Sequence, residues 1–194
     1  AFSKQKFEEQ DRQEVAGYYQ VMDLISSSFK EIPVTENGIK DLHRRLLKYS
    51  TKDEWHKGDY KQHSNRVEAL LPDGSKQVIF ETTPPGHATQ DAMRGLIHLY
   101  RVDNETHPLV KCAIFTYTFL SIHPFQDGNG RVGRLILFKE CLKYNIVPFI
   151  IDEDLKMFYY RGLHEWKSEP GYLRDTCLSA QDKFKKYLDY FKVP

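Results

Sequence analysis

One stretch of the chain, from Leu109 to Ile122, is apolar on nearly every side of a predicted helix. A surface helix buries one stripe, whereas a helix that is apolar all round has to be enclosed by its neighbours. The stretch carries Lys111 and several hydroxyl groups, and it is shorter than the roughly 20 residues that a bilayer requires, so no membrane span is predicted. We therefore expect a bundle of helices packed around this segment.

The hydrophobic periodicity elsewhere supplies the surrounding helices. Apolar residues recur at three- and four-residue steps, and Thr35 has the character of an N-cap, with Glu36 in the first turn that follows. Helices are predicted over residues 8–29, 35–47, 88–101, 105 or 108–122, 131–144, 152–166 and 171–192.

Residues 51–85 have a different character, because glycine and proline punctuate them. Residues 66–69 and 77–80 flank a turn at residues 71–75, a pattern that indicates a β-hairpin. This is the one convincing strand pair in the pattern. The predicted fold class is therefore all-α with a single hairpin, in one domain over residues 1–194 with a core at about 35–166.

Charge and cysteine content exclude several classes of protein. Lys and Arg total 28 against 27 Asp and Glu, a balance that argues against a nucleic-acid-binding protein. Three cysteines at wide separations fit neither a disulfide framework nor a zinc site, and they favour a reducing, cytoplasmic location. The first residues have no apolar signal segment. Because the chain does not begin with Met, we expect it to be a fragment or to lack residues upstream.

The segment from His123 to Arg134 concentrates chemical groups after the apolar helix. Gly128 and Gly130 allow a close approach of the backbone to a ligand. They precede a predicted helix whose free N–H groups and dipole favour an anion. Arg131 and Arg134 lie three residues apart on one face near that helix start, so the segment predicts a phosphate site.

Two further residues add chemistry to this anion site. Asp127 is a hard oxygen ligand that suits Mg²⁺, and His123 accepts a proton near neutral pH. Taken singly, a histidine after an apolar helix is more often structural, and Arg-x-x-Arg is usually a solvated helix face. Their conjunction within one short segment favours displacement at phosphorus.

This segment resembles the signature of the Fic family, His-x-Phe-x-(Asp/Glu)-Gly-Asn-Gly-Arg-x-x-Arg, and it matches at every defined position. The helix around residues 39–47, the hairpin followed by Pro84 and Pro85, and residues 158–163 are also similar to parts of that family. The resemblance covers roughly residues 14–166. It implies a Fic-type helical bundle with a hairpin flap beside the active-site loop.

The resemblance further implies Mg²⁺-dependent transfer of AMP from ATP to a Tyr, Ser or Thr hydroxyl of a target protein, with Mn²⁺ as an alternative metal. In that scheme His123 is the general base, Asp127 holds the metal and Phe125 is a buried anchor of the loop. Phosphate-binding roles fall to Gly128, Asn129, Gly130, Arg131 and Arg134. Tyr159 contacts the nucleotide or, equally, packs as a core aromatic. Residues Val78, Ile79 and Phe80 of the flap dock the target.

The sequence is compatible with several alternatives. The motif is compatible with transfer of UMP or phosphocholine, and a nucleotide-binding regulatory protein with little turnover is a second function class. Gly130 argues against the related Doc-type kinases, which carry Lys there. The family's inhibitory pattern, (Ser/Thr)-x-x-x-Glu-(Gly/Asn), has only a near match that ends at Glu31 and is followed by Ile32. We therefore expect restraint by a segment upstream of residue 1 or by a separate inhibitor protein.

Overall fold

A computed structural model describes residues 2–70, 73–149, 151–190 and 192 of the chain. Within that part there are seven α-helices and one two-stranded antiparallel sheet, which confirms the predicted fold class. The helices are α1 (Phe2–Ser28), α2 (Glu36–Leu46), α3 (His87–Val102), α4 (Pro108–Ile122), α5 (Asn129–Lys143), α6 (Glu153–His164) and α7 (Gly171–Tyr190). The strands are β1 (Arg66–Leu70) and β2 (Lys76–Glu81), and a 3₁₀ turn spans Glu54–His56.

The apolar helix α4 packs against α3, α5, α7 and β2, as its composition requires. Phe115 and Phe119 are buried on it, but Val110 and Ile114 stay about two-fifths exposed, so its enclosure is incomplete on one side. Helix α5 also lies against α1 and α2. The loop of residues 123–128 joins the end of the central helix α4 to the start of α5.

Local sequence rules account for the helix starts. The Thr35 side chain accepts a hydrogen bond from the Gly38 N–H at 3.1 Å, which confirms the predicted N-cap of α2. Pro108 occupies the first turn of α4, where its missing N–H costs nothing. Among the described residues, no helix is both long enough and apolar enough to cross a bilayer.

The hairpin pairs Arg66 with Glu81 and Leu70 with Lys76, and its register shifts between Val67 and Glu68. In the predicted turn the Asp73 side chain accepts from the N–H of Ser75 at 2.9 Å. Residues 71 and 72 lie outside the described residues, as do residue 191 of the last predicted helix and the side chains of residues 79 and 80. The hairpin leaves the bundle between the 3₁₀ turn and α3.

Candidate active site

The loop between α4 and α5 begins and ends in the left-handed region of backbone conformation. His123 is the C-cap of α4 with φ 52° and ψ 60°, a conformation uncommon for a residue with a side chain. Gly128, at φ 78°, is the N-cap of α5. A Cβ at Gly128 would lie 3.5 Å from the His43 ring, so strain rather than space is what favours glycine there. These two left-handed residues, His123 and Gly128, bound a short loop that leads directly into α5.

The imidazole of His123 is partly buried and has one free nitrogen. Its Nδ1 lies 3.4 Å from the carbonyl oxygen of Leu120, and because a carbonyl only accepts, this contact assigns the proton to Nδ1. Nε2 has no hydrogen bond to the described residues and is not sealed from solvent. Burial lowers the pKa of His123 to about 4, so the ring is neutral at pH 7 and Nε2 offers a lone pair.

Asn129 braces the loop from inside. Its side-chain oxygen accepts from the Phe125 N–H and its amide nitrogen donates to the Phe125 carbonyl, both at 2.8 Å. The side chain is about 1% exposed. Any part that Asn129 has in binding an anion therefore falls to its main-chain N–H.

A second brace comes from helix α2. His43 Nδ1 accepts from the Gly58 N–H at 2.9 Å, so Nε2 carries the ring proton and donates to the Asp127 carbonyl at 3.1 Å. The His43 and Phe125 rings are stacked, with centroids 3.9 Å apart and planes 3° apart. Burial lowers the pKa of His43 to about 4, which keeps this neutral tautomer. Phe125 is fully buried, in the position that suits the predicted anchor.

The N-terminus of α5 has no side-chain cap. The N–H groups of residues 129–131 therefore lack intrahelical partners. Arg134 is exposed and has no carboxylate within ion-pair distance among the described side chains. Its Nη1 lies 3.5 Å from the position that a Cβ on Gly130 would take, so the guanidinium covers the helix start. Two guanidinium groups and the free amides of one helix start are the kinds of group that bind phosphates.

Arg131 is already held by carboxylates. Its Nη1 pairs with Glu14 of α1 at 2.7 Å, and its Nη2 lies 3.4 Å from Asp127. Lys52 binds the other oxygen of Glu14 at 2.7 Å, and this contact raises the pKa of Lys52. Lys52, Glu14 and Arg131 thus form a row of two consecutive ion pairs at the start of α5.

Asp127 has the donor set that a phosphate-bound Mg²⁺ needs. Its carboxylate is about half exposed, and one oxygen accepts from the adjacent Gly128 N–H at 2.6 Å. Carboxylate oxygens of Glu14 and Asp53 lie within 4.8 Å of it. Glu14 is neutralised by Lys52 and Arg131, and Asp53 is buried against Ser50 and His56. The half-exposed Asp127 carboxylate, which contacts Arg131, is the most accessible of the three and suits Mg²⁺, an ion that keeps several waters and takes its remaining ligands from phosphates.

Tyr159 and the three flap residues are predicted site residues that lie outside the 123–134 segment. Tyr159 is about 6% exposed and lines a mostly apolar cavity of about 400 Å³ together with Leu137 and Trp166. No residue of the 123–134 segment is among the described lining of that cavity. Burial raises the pKa of the Tyr159 phenol, and the nearby charge of Arg134 lowers it in part. The nucleotide contact of Tyr159 stays a prediction. Val78 is partly buried in β2, and the side chains of Ile79 and Phe80 lie outside the described residues, so target docking by the flap stays a prediction.

The sequence pattern does not indicate His43, Glu14 or Lys52 as parts of the site. Of the three, only His43 could have been found from the sequence. It lies on the apolar face of α2 with Ile39 and Leu42, and a polar side chain on a buried face needs hydrogen-bond partners. Glu14 and Lys52 are ordinary charged residues in the sequence. Only the packing of α1 against α5 places Glu14 next to Arg131.

Comparison with known proteins decides the family. The family model described as Fic/DOC family matches residues 33–140, which is more than half of the chain and includes the whole loop between α4 and α5. This chain belongs to the Fic/DOC family. Two curated relatives, both called protein adenylyltransferase Fic, come from Drosophila mojavensis and Drosophila melanogaster. Each is 27% identical over 93% of this chain. The chain spans about a third of their length, 34% in both cases.

Solved Fic structures share the fold. A Fic-domain-containing signaling protein from Bacteroides thetaiotaomicron is 25% identical, with a TM-score of 0.68 over 94% of this chain and 67% of its own. Fic-1 from C. elegans superposes with a TM-score of 0.71 at 20% identity, covering 94% of this chain and 52% of its own. BepC from Bartonella tribocorum, solved with bound AMPPNP, has a TM-score of 0.57 at 12% identity, over 88% and 86% of the two chains. The last two support the fold alone.

Proposed function

We propose that this chain transfers AMP from ATP to a Tyr, Ser or Thr hydroxyl of a target protein. The observation that carries the proposal is the free Nε2 lone pair of His123 beside the uncapped start of α5. A general base next to an anion site is what nucleophilic displacement at phosphorus requires. The names of the Drosophila relatives support the choice of an adenylyl group, for which ATP is the proposed donor.

The proposed reaction assigns a step to each described group. Nε2 of His123 takes the proton of the target hydroxyl while that oxygen attacks the α-phosphorus. The bond from the α-phosphorus to the bridging oxygen breaks, and pyrophosphate leaves. The N–H groups at the start of α5 and the Arg131 guanidinium stabilise charge on the inner phosphates, and Arg134 binds the terminal one. His123 then carries the proton to solvent.

Asp127 would hold Mg²⁺, with Mn²⁺ as an alternative, and the bound ion would screen the negative charge of the phosphates. Before nucleotide arrives, Arg131 is paired with Glu14 and Asp127. Phosphates would draw Arg131 away from Asp127, and its carboxylate would then be released for the cation. The residues of this chain thus exchange one set of charge partners for another on binding.

Paired labels test the proposal. Incubation of the chain with Mg²⁺, a cell lysate and ATP labelled at the α-phosphate is expected to label protein, and ATP labelled at the γ-phosphate is expected to label none. Label from the γ position alone would instead show a kinase. Nucleotide binding without label from either position would favour the regulatory binding protein. Competition by unlabelled UTP or CDP-choline separates AMP from the other groups that the motif accommodates.

A further inference from the structure

A buried lysine fastens the flap to the loop that carries His123. Lys61 is about 2% exposed and precedes strand β1. Its ammonium group donates to the Ile122 carbonyl at 3.1 Å, to the Asn65 side-chain oxygen at 2.9 Å and to the Thr82 hydroxyl at 3.0 Å. None of these acceptors is a carboxylate, so the ammonium is buried without a charge partner among the described residues. A cation kept at that cost has to serve the surrounding structure.

Neighbouring bonds extend the same attachment. The Lys61 N–H donates to the Pro124 carbonyl at 2.8 Å, and the Asn65 amide donates to the Phe125 carbonyl at 2.9 Å. The Thr83 hydroxyl, which follows β2, donates to the Ile122 carbonyl at 3.0 Å. The carbonyls just before and just after His123 are therefore held by residues that flank the hairpin.

His123 needs such support from outside its own side chain. Its backbone adopts a left-handed conformation that costs about 1 kcal/mol or more for a non-glycine residue. Its ring has one long hydrogen bond, the 3.4 Å contact with Leu120. The direction of the imidazole therefore depends on how the end of α4 is fixed. The carbonyls there form the negative end of the helix dipole, which an ammonium stabilises.

We propose that Lys61 is a positioning residue: its ammonium fixes the C-terminal carbonyl of α4 and so aims the His123 imidazole at the nucleotide site. The inference rests on the proposed function of His123 as general base. Through Asn65 and Thr82, the same lysine connects both ends of the flap to that base.

The charge of Lys61 also acts on the imidazole. Burial is the main cause of the low pKa of His123; Lys61 lowers it further, and Asp127, the other charged group that faces the ring, raises it. Burial lowers the pKa of Lys61 itself to about 8, so the group is mostly protonated at pH 7. The lysine thereby helps to keep His123 neutral and able to accept a proton.

The test replaces Lys61 with methionine, which keeps an unbranched apolar stem but lacks the terminal ammonium. Exposed Lys48→Met is the matched control. For Lys61→Met we expect kcat of AMP transfer to fall by about tenfold to a hundredfold. The Kd for AMPPNP should stay within about twofold of wild type, because Lys61 does not contact the proposed nucleotide cradle, which is the start of α5 with Arg131 and Arg134. The pKa of the His123 ring, followed by NMR, is expected to rise toward 6.5. Lys48→Met should change none of these.

Two results would overturn the proposal. One is an unchanged kcat and an unchanged His123 pKa in a folded Lys61→Met protein. The other is a loss of AMPPNP binding in proportion to kcat, which is the signature of a purely structural staple. If Lys61→Met does not fold, Thr82→Val takes its place, because this variant keeps the Lys61 ammonium and removes one of its hydrogen-bond acceptors. We expect kcat to fall several-fold in Thr82→Val. An unchanged kcat would refute the inference. If the wild-type chain transfers no AMP, the proposed function fails, whereas the ring titration still reports on Lys61.

Discussion

The ring of His43, from helix α2, lies parallel to the ring of Phe125 in the loop between α4 and α5, with centroids 3.9 Å apart. The same histidine donates to the Asp127 carbonyl and accepts from the Gly58 N–H. One side chain therefore fixes both the anchor of the loop and the main chain of the proposed metal ligand. The loop's shape depends on a residue more than eighty positions away.

Replacement of His43 by phenylalanine should preserve the stacking and remove both hydrogen bonds. A buried N–H and a partly buried carbonyl would be left without partners, so we expect the free energy of unfolding to fall by about 2–4 kcal/mol. Urea denaturation measures it. Exposed His98→Phe serves as the control and should change stability by less than about 0.5 kcal/mol. Equal stability of the two variants would show that the His43 hydrogen bonds contribute nothing.

Stability should also depend on pH through the two histidines of the site. Both pKa values are lowered from 6.5 to about 4 in the folded chain, chiefly by burial. Above pH 6.5 the two neutral rings make their full contribution to the free energy of unfolding. This contribution is lost as the pH falls, because between pH 6.5 and 4 the unfolded chain takes up protons that the folded chain does not. From pH 7 to pH 5 the loss should be about 2 kcal/mol for each histidine.

Urea denaturation at these two pH values measures this loss, and a variant separates the two contributions. His123→Asn removes one titrating ring, so its loss of stability between pH 7 and pH 5 should be about half that of wild type. A stability that stays flat over this range in wild type would contradict the assigned neutral rings.

Asn129 offers a test of the brace inside the loop. Asn129→Ala removes two hydrogen bonds to the buried Phe125 peptide, and we expect a loss of about 2–3 kcal/mol in the free energy of unfolding. Exposed Asn104→Ala is the control for amide removal. Differential scanning calorimetry of both variants would detect the difference. A melting temperature for Asn129→Ala equal to that of the control would show that the loop holds its shape without the brace.

The elements were largely predictable because each depends on local rules. Thr35 caps α2 through a bond three residues away, and Pro108 begins α4 for a reason contained in its own ring. The residues of the loop from His123 to Arg134 were predictable as a group because the sequence places them together. Lys61 was not, since its role depends on acceptors that the fold brings from α4 and from the far end of the hairpin.

Glu14 shows the same limit and gives a further prediction. Its carboxylate occupies Arg131 at the mouth of the anion site. Glu14→Gln removes a negative charge that repels phosphates, so we expect AMPPNP to bind about three- to tenfold more tightly at low salt, with the gain shrinking as salt rises. Isothermal titration calorimetry measures it, with exposed Glu9→Gln on the same helix as control. Weaker binding by Glu14→Gln would mean instead that Glu14 is needed to hold Arg131 in place.

The central claim is that His123 is a base placed beside a nucleotide cradle that does not depend on it. The most direct measurement takes AMPPNP binding and AMP transfer from α-labelled ATP on the same preparation of His123→Ala. We predict that the Kd stays within about threefold of wild type while transfer falls by at least about a hundredfold. Transfer retained by His123→Ala at a comparable rate would contradict the claim.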